Sequence, residues 1–166
     1  MRDIQHARRQ GLPARNAAST HLYLREEQVR SAWEATTEAF RQLEKQSDAR
    51  RMEHGIGKAH QRILILLANR PGLSVGDVQR KLVVSKQSLN RELNLLLQKR
   101  YVTCTVDGVD RRVRRLHVTD KGRELADICF EPLRQSLTAA YRQAGAQAVE
   151  GFQQVLACLT RDGEET

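Results

Sequence analysis

The chain has 166 residues and a formal net charge of +8, with 40% hydrophobic and 29% charged residues, which bounds it to one domain with a genuine core plus helical extensions. The positive balance suits a polyanionic partner, although nucleic acid, a membrane surface and simple solubility all remain open on charge alone. Cys104, Cys129 and Cys158 have no CxxC or ligand-like spacing and no run nears the ~18 apolar residues of a membrane span, so we expect no disulfide scaffold, zinc ribbon, secretory signal or membrane anchor, and a reducing cytoplasm.

Residues 1–20, with Arg2, Arg8, Arg9 and Arg15, lack periodicity and read as a flexible basic arm or a solvated tail. From Leu22 the steps change: Val29, Trp33, Thr36, Phe40 and Leu43 form one stripe of a long amphipathic helix at about 21–46. A second helix is predicted from Met52 to Asn69, central to the core because Ile63 to Leu67 is apolar on nearly all sides, and Pro71-Gly72 ends it. Ser74 and Asp77 resemble a capping box for a short helix carrying Val78 and Leu82. Val83, Val84 and Ser85 then make a tight turn, with Ser85 capping the next helix.

That helix turns Leu89, Leu93, Leu96 and Leu97 inward. At ~100° per residue, Gln87, Asn90, Arg91, Asn94 and Gln98 fall on a polar arc elsewhere on its surface. Val102, Cys104 and Val106 alternate as a strand, Asp107-Gly108 signals a turn, and Val113 to Val118 returns. Thr119 caps a further helix, about 119–144, with Leu125, Ile128, Leu133, Leu137 and Tyr141 spaced for burial, and Pro132 is expected to kink or break it. Gly145 separates a last helix, about 146–160, striped by Val149, Phe152, Leu156 and Leu159. The fold class predicted is mainly α with a small β-hairpin wing: a winged helix-turn-helix at about 52–118, flanked by N- and C-terminal helices.

A helix of this kind fits the major groove, where Gln and Asn pair with adenine and Arg with guanine. Gln87, Ser88, Asn90 and Arg91, near its N-terminal end, are the candidate base readers, and Ser85 and Lys86 lie beside them. Lys86 is assigned to phosphate, whereas Asn94 and Gln98 lie farther along and can be simply solvated. On the hairpin, Asp110 and Arg112 project together, so Asp110 is expected to hold the Arg112 guanidinium and aim it at a minor groove, with Arg111 and Arg114 on phosphates. Buried, inert thiols are expected at all three cysteines. His54 and His60, six apart, do not share a helical face as metal ligands, and no catalytic constellation or phosphate-binding Gly loop is present, so we expect no metal, cofactor or enzymatic activity.

Three segments, RILILLANRPGLSVGDVQRKL, VVSKQSLNRELNLLLQKRYV and DRRVRRLHVTDKGREL, resemble the MarR family of transcriptional regulators. The likeness spans about Leu22 to Leu159, and its most specific elements are Asp110-Arg111-Arg112 and Val118-Thr119-Asp120-Lys121-Gly122. The resemblance implies a homodimer built on the flanking helices of a domain at about 21–160, and two winged lobes on a pseudo-palindromic duplex operator. It also implies release by a small aromatic or anionic ligand, for which Trp33, His54, Arg62 and Tyr101 are the candidate residues. Members that sense oxidants do so through a cysteine in the first helix, and none lies there in this chain. Such turns often carry Gly where this chain has Val83, which must therefore avoid positive φ or carry strain. The alternative reading is a winged-helix interaction or assembly module without sequence-specific DNA binding.

Overall fold

This computed structural model describes residues 25–161. The elements in order are α1 (Glu26–Gln46), α2 (Asp48–Glu53), α3 (Lys58–Asn69), α4 (Val75–Leu82), α5 (Lys86–Gln98), β1 (Val102–Val106), β2 (Arg114–Val118), α6 (Asp120–Ala144) and α7 (Ala146–Arg161). The chain divides into two compact units, the first ending at Arg41 and the second beginning at Gln42. The predicted basic arm lies outside the described residues.

Helix α1, most of which lies in the first unit, buries no side chain: Val29, Trp33 and Phe40 of its apolar stripe are all exposed. The second unit holds the core. Ile63, Leu64 and Leu67 of α3 sit among Val78 of α4, Leu89, Leu93 and Leu96 of α5, Val102 and Leu116 of the strands, and Leu125, Ala126 and Cys129 of α6. Each fully buried Leu or Ile stabilises by about 1.5–3 kcal/mol relative to exposure, so this interior fixes the second unit's helices. β1 and β2 pair antiparallel from Val102 with Val118 to Val106 with Arg114. The segment before α4 joins the sheet's edge: Leu73 accepts from the Leu116 amide at 2.9 Å, and Ser74 bridges Arg115.

The single helix predicted from Met52 to Asn69 is instead two. Gly55, at φ 59°, takes a left-handed conformation between α2 and α3, and Gly57 is extended. This break lets the α2 side chain Arg51 turn inward, where it donates to Gln61 at 2.5 Å and to the Glu44 carbonyl at 3.1 Å, and pairs with Asp48. A charge so buried needs such partners, and none of the described buried side chains lacks one.

Pro132 does not divide α6, which runs unbroken for 25 residues. A proline ring crowds the preceding turn and removes a donor there. The carbonyl that loses its donor is that of Ile128; one residue on, the Cys129 carbonyl accepts from Ser47 Oγ at 2.6 Å and Gln61 Nε2 at 3.2 Å, which ties this turn of α6 to Ser47 before α2 and to α3. Gly145, at φ 82°, separates α6 from α7 as predicted. The N-terminus of α6 leans so closely on Tyr101 that a Cβ at Gly122 would stand 1.9 Å from the Tyr101 carbonyl oxygen.

Candidate nucleic-acid interface

Helices α4 and α5 form the helix-turn-helix, and local chemistry sets both starts. Ser74 Oγ accepts from the Asp77 amide at 3.1 Å while Asp77 accepts from the Ser74 amide at 3.0 Å, completing the predicted capping box. Ser85 Oγ accepts from the Ser88 amide at 3.1 Å at the start of α5. Between them Val83 takes the left-handed conformation, φ 51° and ψ 50°, with its side chain 89% exposed. Of the two alternatives for this turn, the chain takes the strained one.

The buried Leu89, Leu93 and Leu96 hold one side of α5 down, which leaves Ser85, Lys86, Gln87, Asn90 and Arg91 exposed and Ser88 half-buried. Arg91 does not stand free. Its Nε and Nη2 donate to Glu92 Oε1 at 2.9 and 2.7 Å, and Glu92 Oε2 receives His60 Nε2 at 2.9 Å. His60 Nδ1 accepts from the Gly57 amide at 2.8 Å, so the ring's proton sits on Nε2 and the imidazole is neutral. Burial lowers the His60 pKa, against the pull of Glu92 and with help from Lys99 and Arg91. The start of α3 is thereby linked to a candidate base reader, through His60, weighed from the sequence only as a metal ligand, and Glu92, not singled out there.

The wing tip spans residues 107–113. Arg111 and Arg112 on it and Arg114 at the start of β2 are exposed, as the sequence suggested, but the expected Asp110–Arg112 clamp takes another form. The two side chains approach only to 4.0 Å, and Asp110 Oδ1 instead accepts the Arg112 backbone amide at 2.9 Å. Asp110 thus shapes the chain and leaves the Arg112 side chain 95% exposed. The arginine that is clamped is Arg115, which pairs with Asp107 and donates to the Gly72 carbonyl at 2.9 Å. Neither Asp107 nor Arg115 was among the predicted site residues. A signal existed: an Asp before Gly with a second Asp three residues on favours side-chain-to-backbone turns.

A family model described as MarR family matches residues 54–113. The HTH-type transcriptional regulator PetP of Rhodobacter capsulatus is 41% identical over 140 residues, covering 84% of this chain and 84% of PetP. This chain belongs to the MarR family. A MarR-family regulator from Silicibacter pomeroyi has the same fold, with a TM-score of 0.71 at 23% identity over 79% of this chain and 88% of that one. NadR, solved in complex with 4-hydroxyphenylacetate, gives a TM-score of 0.69 at 22% identity over 75% and 89%. As a MarR-family member the protein is a DNA-binding transcriptional regulator, and the exposed face of α5 and the wing form its candidate DNA surface.

The four candidate ligand residues have different surroundings in this MarR-family chain. Trp33 is 72% exposed on α1, whereas Tyr101 is buried beneath Lys121, whose Nζ lies 4.7 Å from the ring centre. Arg62 pairs with Glu44 at 2.6 Å. His54, which ends α2, lines a cavity of about 570 Å³ with Arg50 and Glu53 from α2 and Asp127, Glu131 and Pro132 from α6, and of the four only His54 does so. Among the thiols, Cys129 is fully buried with its pKa pushed up by that burial, and Cys104 is half-buried. Cys158 is exposed on α7, contrary to the expectation of burial. No helix among the described residues is long and apolar enough to cross a membrane.

Proposed function

We propose that the protein is a sequence-specific repressor that binds a pseudo-palindromic operator as a homodimer in the cytoplasm and blocks transcription by occupying a promoter. The observation that carries this reading is the polar face of α5, presented by a helix whose opposite side is locked into the core. Gln87, Ser88, Asn90 and Arg91 read base edges, Ser85 and Lys86 contact the backbone, and the wing follows the groove beside them. Arg112 probes the minor groove, with Arg111 and Arg114 on phosphates and Asp110 setting the local chain path. The homodimer is supported by apolar side chains left exposed in the single chain, Val29, Trp33 and Phe40 on α1 and Phe152, Val155, Leu156 and Leu159 on α7.

Release by a small aromatic or anionic molecule belongs to the same reading, supported by the ligand class that NadR holds. Its candidate residues remain Trp33, His54, Arg62 and Tyr101, of which His54 already faces a cavity.

The test is selection of genomic fragments followed by titration against random duplex over a salt series. We expect a preference of roughly 10³-fold or more, a linear fall of log affinity with log salt, and half-sites ~34–36 Å apart or a multiple of that. Arg91→Ala should relax specificity at particular bases by about 1–3 kcal/mol. Equal binding to every duplex would favour the interaction-module alternative, and a monomer in sedimentation at micromolar concentration would remove the dimer.

A further inference from the structure

We infer that Asp107 and Arg115 form a brace that pins the wing tip to the helix-turn-helix, which makes Arg115 a positioning residue and not one of the phosphate contacts. The inference rests on the reading of the wing as a DNA probe, yet its structural part stands in the free protein.

The tip has no apolar interior to hold it. Val109 at its apex is 99% exposed, and Arg111 and Arg112 project into solvent beside it. Polar bonds give it shape. The Asp107 amide donates to the Val113 carbonyl at 2.9 Å, and the Val113 amide returns to the Asp110 carbonyl at 2.9 Å. Asp107 Oδ1 accepts the amides of Val109 at 2.8 Å and Asp110 at 3.0 Å, which leaves Oδ2 for Arg115. One carboxylate therefore organises the turn with one oxygen and anchors it with the other.

Arg115 carries that anchor onward. Its Nε takes Asp107 and its Nη1 takes the Gly72 carbonyl, in the loop between α3 and α4. The Gly72 amide in turn donates to the Leu116 carbonyl at 3.2 Å. A single guanidinium thus joins the tip's turn-forming residue to the loop that leads into the helix-turn-helix. A lysine has one nitrogen and cannot span both acceptors in this geometry, whereas the arginine fork can.

Exposure separates the arginines in the same way. The Arg115 side chain is 44% exposed against 95% for Arg112, and the Asp107 side chain is 11% exposed. Backbone amides and Arg115 depress the Asp107 pKa to about 2, so the carboxylate facing Arg115 is charged at neutral pH. Arg115 has its countercharge within the protein and releases no counterion from DNA. The positive end offered to the duplex is then Arg111, Arg112 and Arg114, held at a fixed height relative to α5.

The test compares Asp107→Ala, Arg115→Ala, the double variant and Arg115→Lys with the wild type, using full-length protein. In the free protein, the ¹⁵N heteronuclear NOE of Val109, Asp110 and Arg112 should fall in all four variants. On a duplex selected from the genome, each variant should bind on the order of tenfold more weakly, with the double no worse than either single. The salt slope should stay that of the wild type. A phosphate-contacting Arg115 predicts otherwise: Arg115→Ala shallows the slope by ~0.9, Arg115→Lys binds like the wild type, and Asp107→Ala tightens binding to every duplex by removing a negative charge. That pattern, or an unchanged NOE at the tip in Arg115→Ala, overturns the brace. A wild type whose tip is ordered by the brace but which prefers no duplex would instead overturn the DNA reading.

Discussion

Helix α5 and the wing tip both present side chains toward a duplex, but opposite kinds of chemistry hold them in place. Under α5 lie Leu89, Leu93 and Leu96, at 2%, 4% and 0% exposure, so the polar face is fixed by burial on its far side. Under the wing tip there is no buried side chain at all. Its shape comes from Asp107 and Asp110 bonding to nearby amides and from Arg115 reaching back to Gly72. Burial is non-directional and tolerates small shifts, whereas hydrogen bonds demand partners at set distances and angles. The reader helix is therefore secured with the fold, and the wing can be altered without disturbing it.

The largest effect that this contrast predicts is in stability. Leu96→Ala removes a fully buried side chain that the surrounding core cannot fill, and should cost about 3 kcal/mol in urea denaturation. Asp107→Ala should lower the same midpoint far less, since the residues it orders are already exposed. A Leu96→Ala loss below about 1 kcal/mol would mean that burial is not what anchors α5.

The same contrast explains what the sequence revealed. Leucine spacing at helical steps identified α5 and its outer face, because apolar periodicity records burial directly. The caps at Ser74, Ser85 and Thr119 were legible because a helix start needs a side-chain acceptor at a fixed offset. The wing tip was not, because which amide a carboxylate meets depends on the path of the chain, and Asp110 had an apparent partner two residues away. Arg115 looked like one more basic residue in a cluster. The pairing of His60 with Glu92 was invisible for a related reason: they lie 32 positions apart, and no spacing rule links α3 to α5. The break at Gly55 was missed because a left-handed glycine leaves no mark in apolar spacing, and at Pro132 α6 runs on without the break that was one of the two expectations.

A smaller effect concerns the entry to α5. A β-branched residue in the left-handed region costs roughly 1–2 kcal/mol, of which glycine recovers most while giving back about 0.5–1 in unfolded-chain entropy. Val83 is largely exposed, so little burial is lost on removing it. Val83→Gly should therefore stabilise by about 0.5 kcal/mol, seen as a raised melting temperature. A lowered one would show that the valine side chain supports the turn in a way its exposure conceals.

Acid titration should separate the two regions without any substitution. His60, on the α5 side, has its pKa lowered from 6.5 by burial, so the folded state binds its proton less readily than the unfolded chain. Its contribution to stability is complete above 6.5 and is lost as pH falls from 6.5 toward the folded value. Protonation also places N–H on Nδ1, facing the Gly57 amide that it had accepted, so that link must open. Asp107 is depressed from 3.8 to about 2, so its contribution is complete above 3.8 and is lost only between 3.8 and about 2. Amide shifts followed by NMR should then move first at Gly57, while Val109 and Asp110 hold until pH is below 3.8. Simultaneous movement of all three amides would mean that the wing depends on the α3–α5 link after all, and that the two anchoring systems are one.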